Sequence, residues 1–482
     1  MDNLDDLGRA VAYGPTMSGT AIAGCRREGT TMTTAERSTT SGNRGFLRRM
    51  TFACAWGEGL DGYDLGVISV ALPAITTALG LDPVLAGLIG ASSLIGIFIG
   101  APLAGWLTDR FGRRRVFTID VLAFIVLGLL QAFVADGWQL FVVRVLLGIA
   151  IGAEYSIGAA MLAEFAPSKD RGRRLSGLLV SWYGGYLVAV VVSYVLIDAV
   201  GLSWRWVLVT SALPAVVTAI ARIGFPESPR WLLGKGREDE ARAVVHAHLG
   251  GDDYFRQEQY AAEEQKTGGY RVLFAPGNRG RLAFISLFWA CNVAPYFAIF
   301  TFAPTVLKSL QLSNEAAGTI TVNAMAAIGA VVGMLTIERL GRRRQLIPPF
   351  WIMAVALAVV GVWGSAPGVV VVLCFAVFSF MNALQGNLTA VYPIEVLPTE
   401  VRSTGVGFAA ACSRIGAAAG TFLLPIGIDS IGIGACMLIA AAICVAGAIL
   451  SQVMAPETTG KGLHDTSTQP LRQQVSKVPA AH

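Results

Sequence analysis

The sequence predicts an all-α membrane protein of twelve transmembrane helices, arranged as two six-helix bundles related by pseudo-symmetry. Three observations carry that prediction. Of 482 residues, 54% are hydrophobic and 14% charged, and the mean hydropathy is +0.59, more apolar surface than a water-soluble chain of this length could bury. Crossing a bilayer takes about 20 largely apolar residues, and twelve such stretches fit the chain end to end. Two motif pairs also recur half a chain apart.

Taken in order, residues 1–45 are polar and are expected to form a disordered cytoplasmic tail, with Met17 and Met32 as alternative starts. No short apolar core followed by a small-residue cleavage site occurs there, so no cleaved signal peptide is expected. The first bundle, 46–225, holds stretches at 50–77, 84–107, 116–135, 138–163, 175–199 and 204–223. A polar cytoplasmic linker with short helices follows at 226–280. The second bundle, 281–455, holds 281–307, 315–337, 345–364, 368–392, 403–428 and 432–454, and 456–482 is a cytoplasmic C-terminal tail. The net charge of +5 reports topology rather than nucleic-acid binding, because the basic residues cluster in alternate loops: Arg110 to Arg115, Lys169 to Arg174, the linker, Arg339 to Arg344 and Arg402. The opposite loops carry little beyond Arg205 and Lys308. Both termini are therefore expected in the cytoplasm of a cell whose plasma membrane holds the chain. Five of seven cysteines (Cys291, Cys374, Cys412, Cys436, Cys444) lie inside proposed helices, so no disulfide framework is expected.

The repeat is read from two motifs. GWLTDRFGRRR at Gly105 to Arg115 returns as TIERLGRRR at Thr336 to Arg344, with Gly112 answering Gly341 at an offset of 341 − 112 = 229. Glu164, Pro167 and Arg171 return as Glu395, Pro398 and Arg402 with the same spacings, at an offset of 395 − 164 = 231. Two unrelated motifs with nearly one offset indicate two halves enclosing a central site.

With PESPRWLLGKGREDEARAVV at Pro226 to Val245, PETTGKGL at Pro456 to Leu463, RVLLGIAIG at Arg144 to Gly152 and GYDLGVIS at Gly62 to Ser69, the chain resembles the sugar porter branch of the major facilitator superfamily over residues 50 to 463. The resemblance implies that superfamily's fold, a secondary transporter working as a monomer in the lipid bilayer, and a small-molecule substrate coupled to the proton, with no other cofactor. It also implies that charges at the helix ends latch the cytoplasmic side shut: Asp109, Arg113, Glu164, Arg171, Glu227, Arg230, Glu338, Arg342, Glu395, Arg402 and Glu457. Arg114, Arg115, Arg343 and Arg344 read as topology markers.

Charges inside the lipid span are costly and face a cavity or a partner. Asp64 lies about 14 residues into the first helix, roughly 21 Å at 1.5 Å per residue. Arg144 lies about six residues into the fourth from the opposite face, which leaves about 21 Å of a 30 Å core below it. The depths agree. In proton-coupled sugar porters, which this chain resembles here, the matching Asp and Arg couple the proton; a structural buried pair is the alternative. Asp61, one turn before Asp64, completes a DGYD sequence similar to that of aromatic acid:proton symporters.

For the substrate, Glu154 lies deep in the fourth helix and Arg414 near the middle of the eleventh, where an arginine suits a carboxylate, although pairing with an acid or with Asn382 is an equal reading. Hexose porters offer a glutamine in helix 5 and a QQ…GIN stretch in helix 7. This chain departs from both, with Trp182 and Tyr183 in the fifth helix, and Cys291 and Asn292, then Pro295 to Phe297, in the seventh. With Tyr296, Asn382 and Gln385 as further candidates, the pocket points to a small organic carboxylate, aromatic acids included; a proton-coupled sugar or polyol porter and a drug:proton antiporter are the alternatives.

Other classes fit poorly. No GxxxxGK[ST] loop occurs, and the linker is too small for a nucleotide-binding domain. Gly405-Val406-Gly407 is better explained by close helix packing than by a dinucleotide. His246 and His248 lack Cys or HExxH companions, so no metal site is expected. No nucleophile and base set marks an enzyme, and the short tails carry no motif of a non-transporting sensor.

Overall fold

The structure, a computed structural model, describes residues 34–166, 168–249, 270–310, 314–398 and 401–458. Among them are helices and no strand, and twelve helical segments are long and apolar enough to cross a membrane. The first half consists of α1 (Thr34–Leu79), α2 (Pro83–Phe111), α3 (Arg113–Leu130), α4 (Gly137–Phe165), α5 (Ser168–Tyr194), α6 (Trp204–Val209) and α7 (Ala212–Arg222). Short helices α8 (Pro229–Gly234), α9 (Glu238–His248) and α10 (Tyr270–Leu273) occupy the linker. The second half consists of α11 (Pro276–Thr301), α12 (Ala303–Ser309), α13 (Glu315–Leu340), α14 (Arg342–Val362), α15 (Gly368–Val396), α16 (Arg402–Ile431) and α17 (Ile433–Met454).

Several boundaries differ from those expected, each for a local reason. Helix α1 already begins at Thr34, so residues 34–45, assigned to the tail from their polarity, are helical. The sixth span is broken at Thr210 and Ser211, whose hydroxyls bond back to the carbonyls of Val207 and Leu208. The seventh starts at Pro276, inside the expected linker, and stops at Thr301. Pro304 then opens α12, where its missing N–H costs nothing. Asp82, Asp136 and Asn314 cap α2, α4 and α13, each accepting a backbone N–H three residues on at 2.7 to 2.9 Å. These helices start at the end away from the arginine-rich loops, here termed the far end; the other is the basic end.

Without a hydrophobic driving force in lipid, helices pair through close packing, which small residues permit. A seam of Gly96 and Gly100 on α2 against Gly148 and Gly152 on α4 brings the two backbones into contact: a Cβ on Gly148 would strike the backbone of Ser93. Gly148→Val is therefore expected to cost about 1–3 kcal/mol by overpacking, read as a lower thermal midpoint of the detergent-solubilised protein.

The two halves touch mainly toward the far end. There Tyr194 on α5 donates to Thr319 on α13 at 3.1 Å, Tyr186 donates to the Phe300 carbonyl at 3.1 Å, and Gly87 on α2 lies against Phe422 and Pro425 on α16.

Candidate functional site

At the basic end the repeat reappears as matched chemistry. Gly112 and Gly341 turn the chain at φ 96° and 83°, a region open to glycine, and α3 and α14 start immediately after them. Glu227 then accepts from the N–H groups of Arg113 and Arg114 at 2.8 and 3.1 Å, and Glu457 accepts from those of Arg342 and Arg343, both at 3.0 Å. Arg113 pairs with Glu164, and Arg342 with Glu395 at 2.7 Å. Ser228 and Thr458 each donate to that same glutamate at 2.5 Å. The segments Pro226-Glu227-Ser228 and Pro456-Glu457-Thr458 are thus a third motif pair of the repeat, at an offset of 457 − 227 = 230.

The halves differ at one corner. Glu338 pairs with Arg342 at 3.0 Å, whereas its counterpart Asp109 is exposed and contributes only its carbonyl, to Trp231 Nε1 at 3.1 Å. Its carboxylate, expected in the network, stands apart because α2 ends with that side chain turned outward. Arg230 is exposed on α8, and the side chains of Arg171 and Arg402 lie outside the described residues. The pairs named here each join elements within one half. Glu227→Ala and Glu457→Ala, each stripping two N–H groups of a partner, are expected to lose about 0.5–2 kcal/mol, and to a similar degree, in thermal unfolding.

At mid-depth, Asp64 and Arg144 meet at 3.1 Å, both side chains only 1% exposed. Arg144 also donates to Ser93 at 2.9 Å and to Gln131 at 3.2 Å, so three elements of the first half hold the guanidinium. Asp64 Oδ1 and Arg144 Nε have no partner.

Asp61, three residues earlier, faces elsewhere. It lines a cavity of about 250 Å³ between the halves, running from mid-depth toward Leu175 and Ile394 near the basic end. Both Asp61 oxygens are buried and unpartnered, and Glu58 beside it lines the same wall. Trp182, Tyr183, Asn292, Tyr296, Asn382 and Arg414 also line it. Tyr296 brings a buried hydroxyl with no partner. Asn292 donates to Gln385 at 3.1 Å, and Asn382 to the Asn292 carbonyl at 2.9 Å. Arg414 makes no hydrogen bond or ion pair among the described residues; its guanidinium lies 5.5 and 5.6 Å from the ring centres of Tyr155 and Phe297. Toward the far end, Tyr186, Tyr296 and Phe300 pack into an aromatic cluster, and a second crevice lined by Lys308, Glu315 and Asp429 lies beyond it.

Two candidates fall outside the cavity. Gln385 sits behind Asn292 and donates to the Leu346 carbonyl at 3.1 Å, inside the second half. Glu154 turns into the first half and pairs with Arg222, with Gly57 leaving room for both groups; its neighbour Tyr155 faces the cavity in its place. Sequence reasoning missed Glu58, Asp120, Tyr155 and Arg222. The spacing of Glu58 and Asp61 is a one-turn signal that could have found the first. No group of three or more His, Cys, Asp or Glu placed to hold a metal ion occurs among the described residues.

Comparison with known proteins agrees with this architecture. A family model described as "Sugar (and other) transporter" matches residues 50–469. YaaU of Escherichia coli (strain K12) is 40% identical over 87% of this chain and 95% of its own. The inner membrane metabolite transport protein YgcS of the same organism is 37% identical over 83% of this chain and 88% of its own. The inward open conformation of the E. coli xylose transporter XylE superposes with a TM-score of 0.75, covering 87% of this chain and 99% of XylE at 22% identity, a likeness of fold.

Proposed function

This chain belongs to the sugar (and other) transporter family, a multi-pass metabolite transporter of the plasma membrane and not an enzyme, and from that premise we propose that it is a proton-coupled symporter for a small organic carboxylate, aromatic by preference. One observation carries the substrate class: Arg414 stands in the cavity wall with no ion pair or hydrogen bond. A guanidinium inside the span with no direct partner is costly, and a planar carboxylate matches its fork. Tyr155 and Phe297 beneath it, with Trp182 and Tyr296 beside them, give a ring a flat surface to lie on.

Asp64 and Arg144 supply the coupling in this reading. Arginine stays charged, so the carboxylate either pairs with it or takes a proton. With the arginine-rich loops in the cytoplasm, both termini lie there too, and the cavity faces inward. Rocking of the two halves about the central site would then expose it alternately, in a monomer that contains both halves of the pathway.

A second reading, a proton-coupled sugar or polyol porter, rests on Asn292 and Asn382 in the wall. It is disfavoured because each amide already donates to a protein partner, whereas a hydroxyl-rich ligand needs donors as well as acceptors. Counterflow in proteoliposomes with benzoate, nicotinate, short carboxylates, xylose, glucose and inositol separates the two. Uptake of carboxylates alone supports the first reading; uptake of sugars alone returns the protein to the second.

A further inference from the structure

The first half contains a second buried group of charges that the Asp64–Arg144 pair does not touch. Glu154 and Arg222 form its ion pair, and the Arg222 guanidinium lies 3.4 Å from the ring centre of Phe117 while donating to the Phe117 carbonyl at 3.2 Å. Asp120 on α3, 4% exposed, brings its carboxyl against that of Glu154, and neither of its oxygens has a hydrogen-bond partner. Glu58 and Asp61 on α1, 3% and 1% exposed, join the group to the cavity, where Arg414 reaches toward both. The remaining titratable groups facing it are Cys54 on α1 and Tyr155 on α4, neither of which brings a cation.

The count does not balance. Four carboxyls (Glu58, Asp61, Asp120, Glu154) face two guanidiniums (Arg222, Arg414) inside the span. Fully ionised, the group would hold two uncompensated negative charges away from water, at a cost of several kcal/mol each. The least expensive resolution is two bound protons shared within the coupled group. Asp61 and Asp120 are where they belong, since both lack an ion pair and all four of their oxygens are unpartnered. Asp61 stands in the cavity wall with Glu58 and Arg414, whereas Asp64 pairs with Arg144, so the two centres are built from different residues.

We propose that Glu58, Asp61, Asp120, Glu154, Arg222 and Arg414 form a second proton-binding centre, holding two protons at neutral pH in this conformation and opening to the cavity through Asp61. The centre shares Arg414 with the proposed substrate site, but its test needs no substrate, so its outcome is read separately from the transport reading. Infrared difference spectra of the full-length protein in liposomes, taken at neutral and at high pH, report protonated carboxyls through their C=O stretch. Wild type is expected to show such bands at neutral pH; Asp120→Asn and Asp61→Asn are each expected to lose intensity equivalent to one carboxyl, and Asp64→Asn to retain both. Asn is close in shape to Asp, and Asp120→Glu serves as the folded control, in which the band shifts rather than vanishes. Absence of protonated carboxyls at neutral pH, or their complete loss in Asp64→Asn, would overturn the proposal.

Discussion

Asp64→Asn is expected to abolish concentrative uptake while leaving substrate counterflow within about twofold of wild type. For a carboxylate monoanion carried with one proton the cycle is electroneutral, so the pH gradient drives it, and each pH unit contributes about 1.4 kcal/mol, a tenfold accumulation. The variant should hold its accumulation ratio near one at any imposed gradient. Asparagine keeps an oxygen where Asp64 accepts from Arg144, and Ser93 and Gln131 continue to hold the guanidinium, so the fold is expected to survive the loss of the negative charge. Arg144→Ala is a harsher change, because it strands a carboxylate that is 1% exposed, at a cost of about 3–5 kcal/mol. Gradient-driven accumulation that persists in a folded Asp64→Asn protein would reduce the pair to a structural one.

Depth along a helix was legible in the sequence, whereas direction around it was not. Asp64 and Arg144 were matched by counting residues from opposite faces, and they meet at 3.1 Å. The repeat was legible for a similar reason: Gly112 and Gly341 mark a backbone turn, and the arginines after them lie at helix starts where only a few arrangements are possible. Rotation is harder to read, since a helix that is apolar on every side gives no amphipathic stripe to orient it. A step of one residue turns a side chain by about 100°, which is why Tyr155 and not Glu154 reaches the cavity. Asp120 and Arg222 lie close enough to helix ends to pass for groups reaching the headgroups, and only the packing of α3 against α4, and of α7 against α1 and α3, reveals that they face inward. Gln385 was placed at the correct depth and belongs to the layer behind the wall.

Arg414→Ala is expected to weaken carboxylate binding about 10- to 150-fold, the loss of a charge-assisted contact worth roughly 1.5–3 kcal/mol. The effect should appear in the concentration dependence of counterflow, with little change in the amount of folded protein, because the residue makes no ion pair or hydrogen bond among the described residues. Arg414→Lys discriminates further. Lysine keeps the charge but loses the planar fork and the stacking over Tyr155 and Phe297, so it should recover part of the affinity for short carboxylates and less of that for benzoate. Tyr155→Leu should then invert the pattern, penalising benzoate and sparing the short carboxylates, since it removes a ring and no charge. If benzoate counterflow were instead indifferent to Arg414→Ala, the guanidinium would be a packing element that seals Tyr155 against Phe297. The substrate would then be read from Asn292, Asn382 and the free Tyr296 hydroxyl, a set that favours a neutral, hydroxylated ligand.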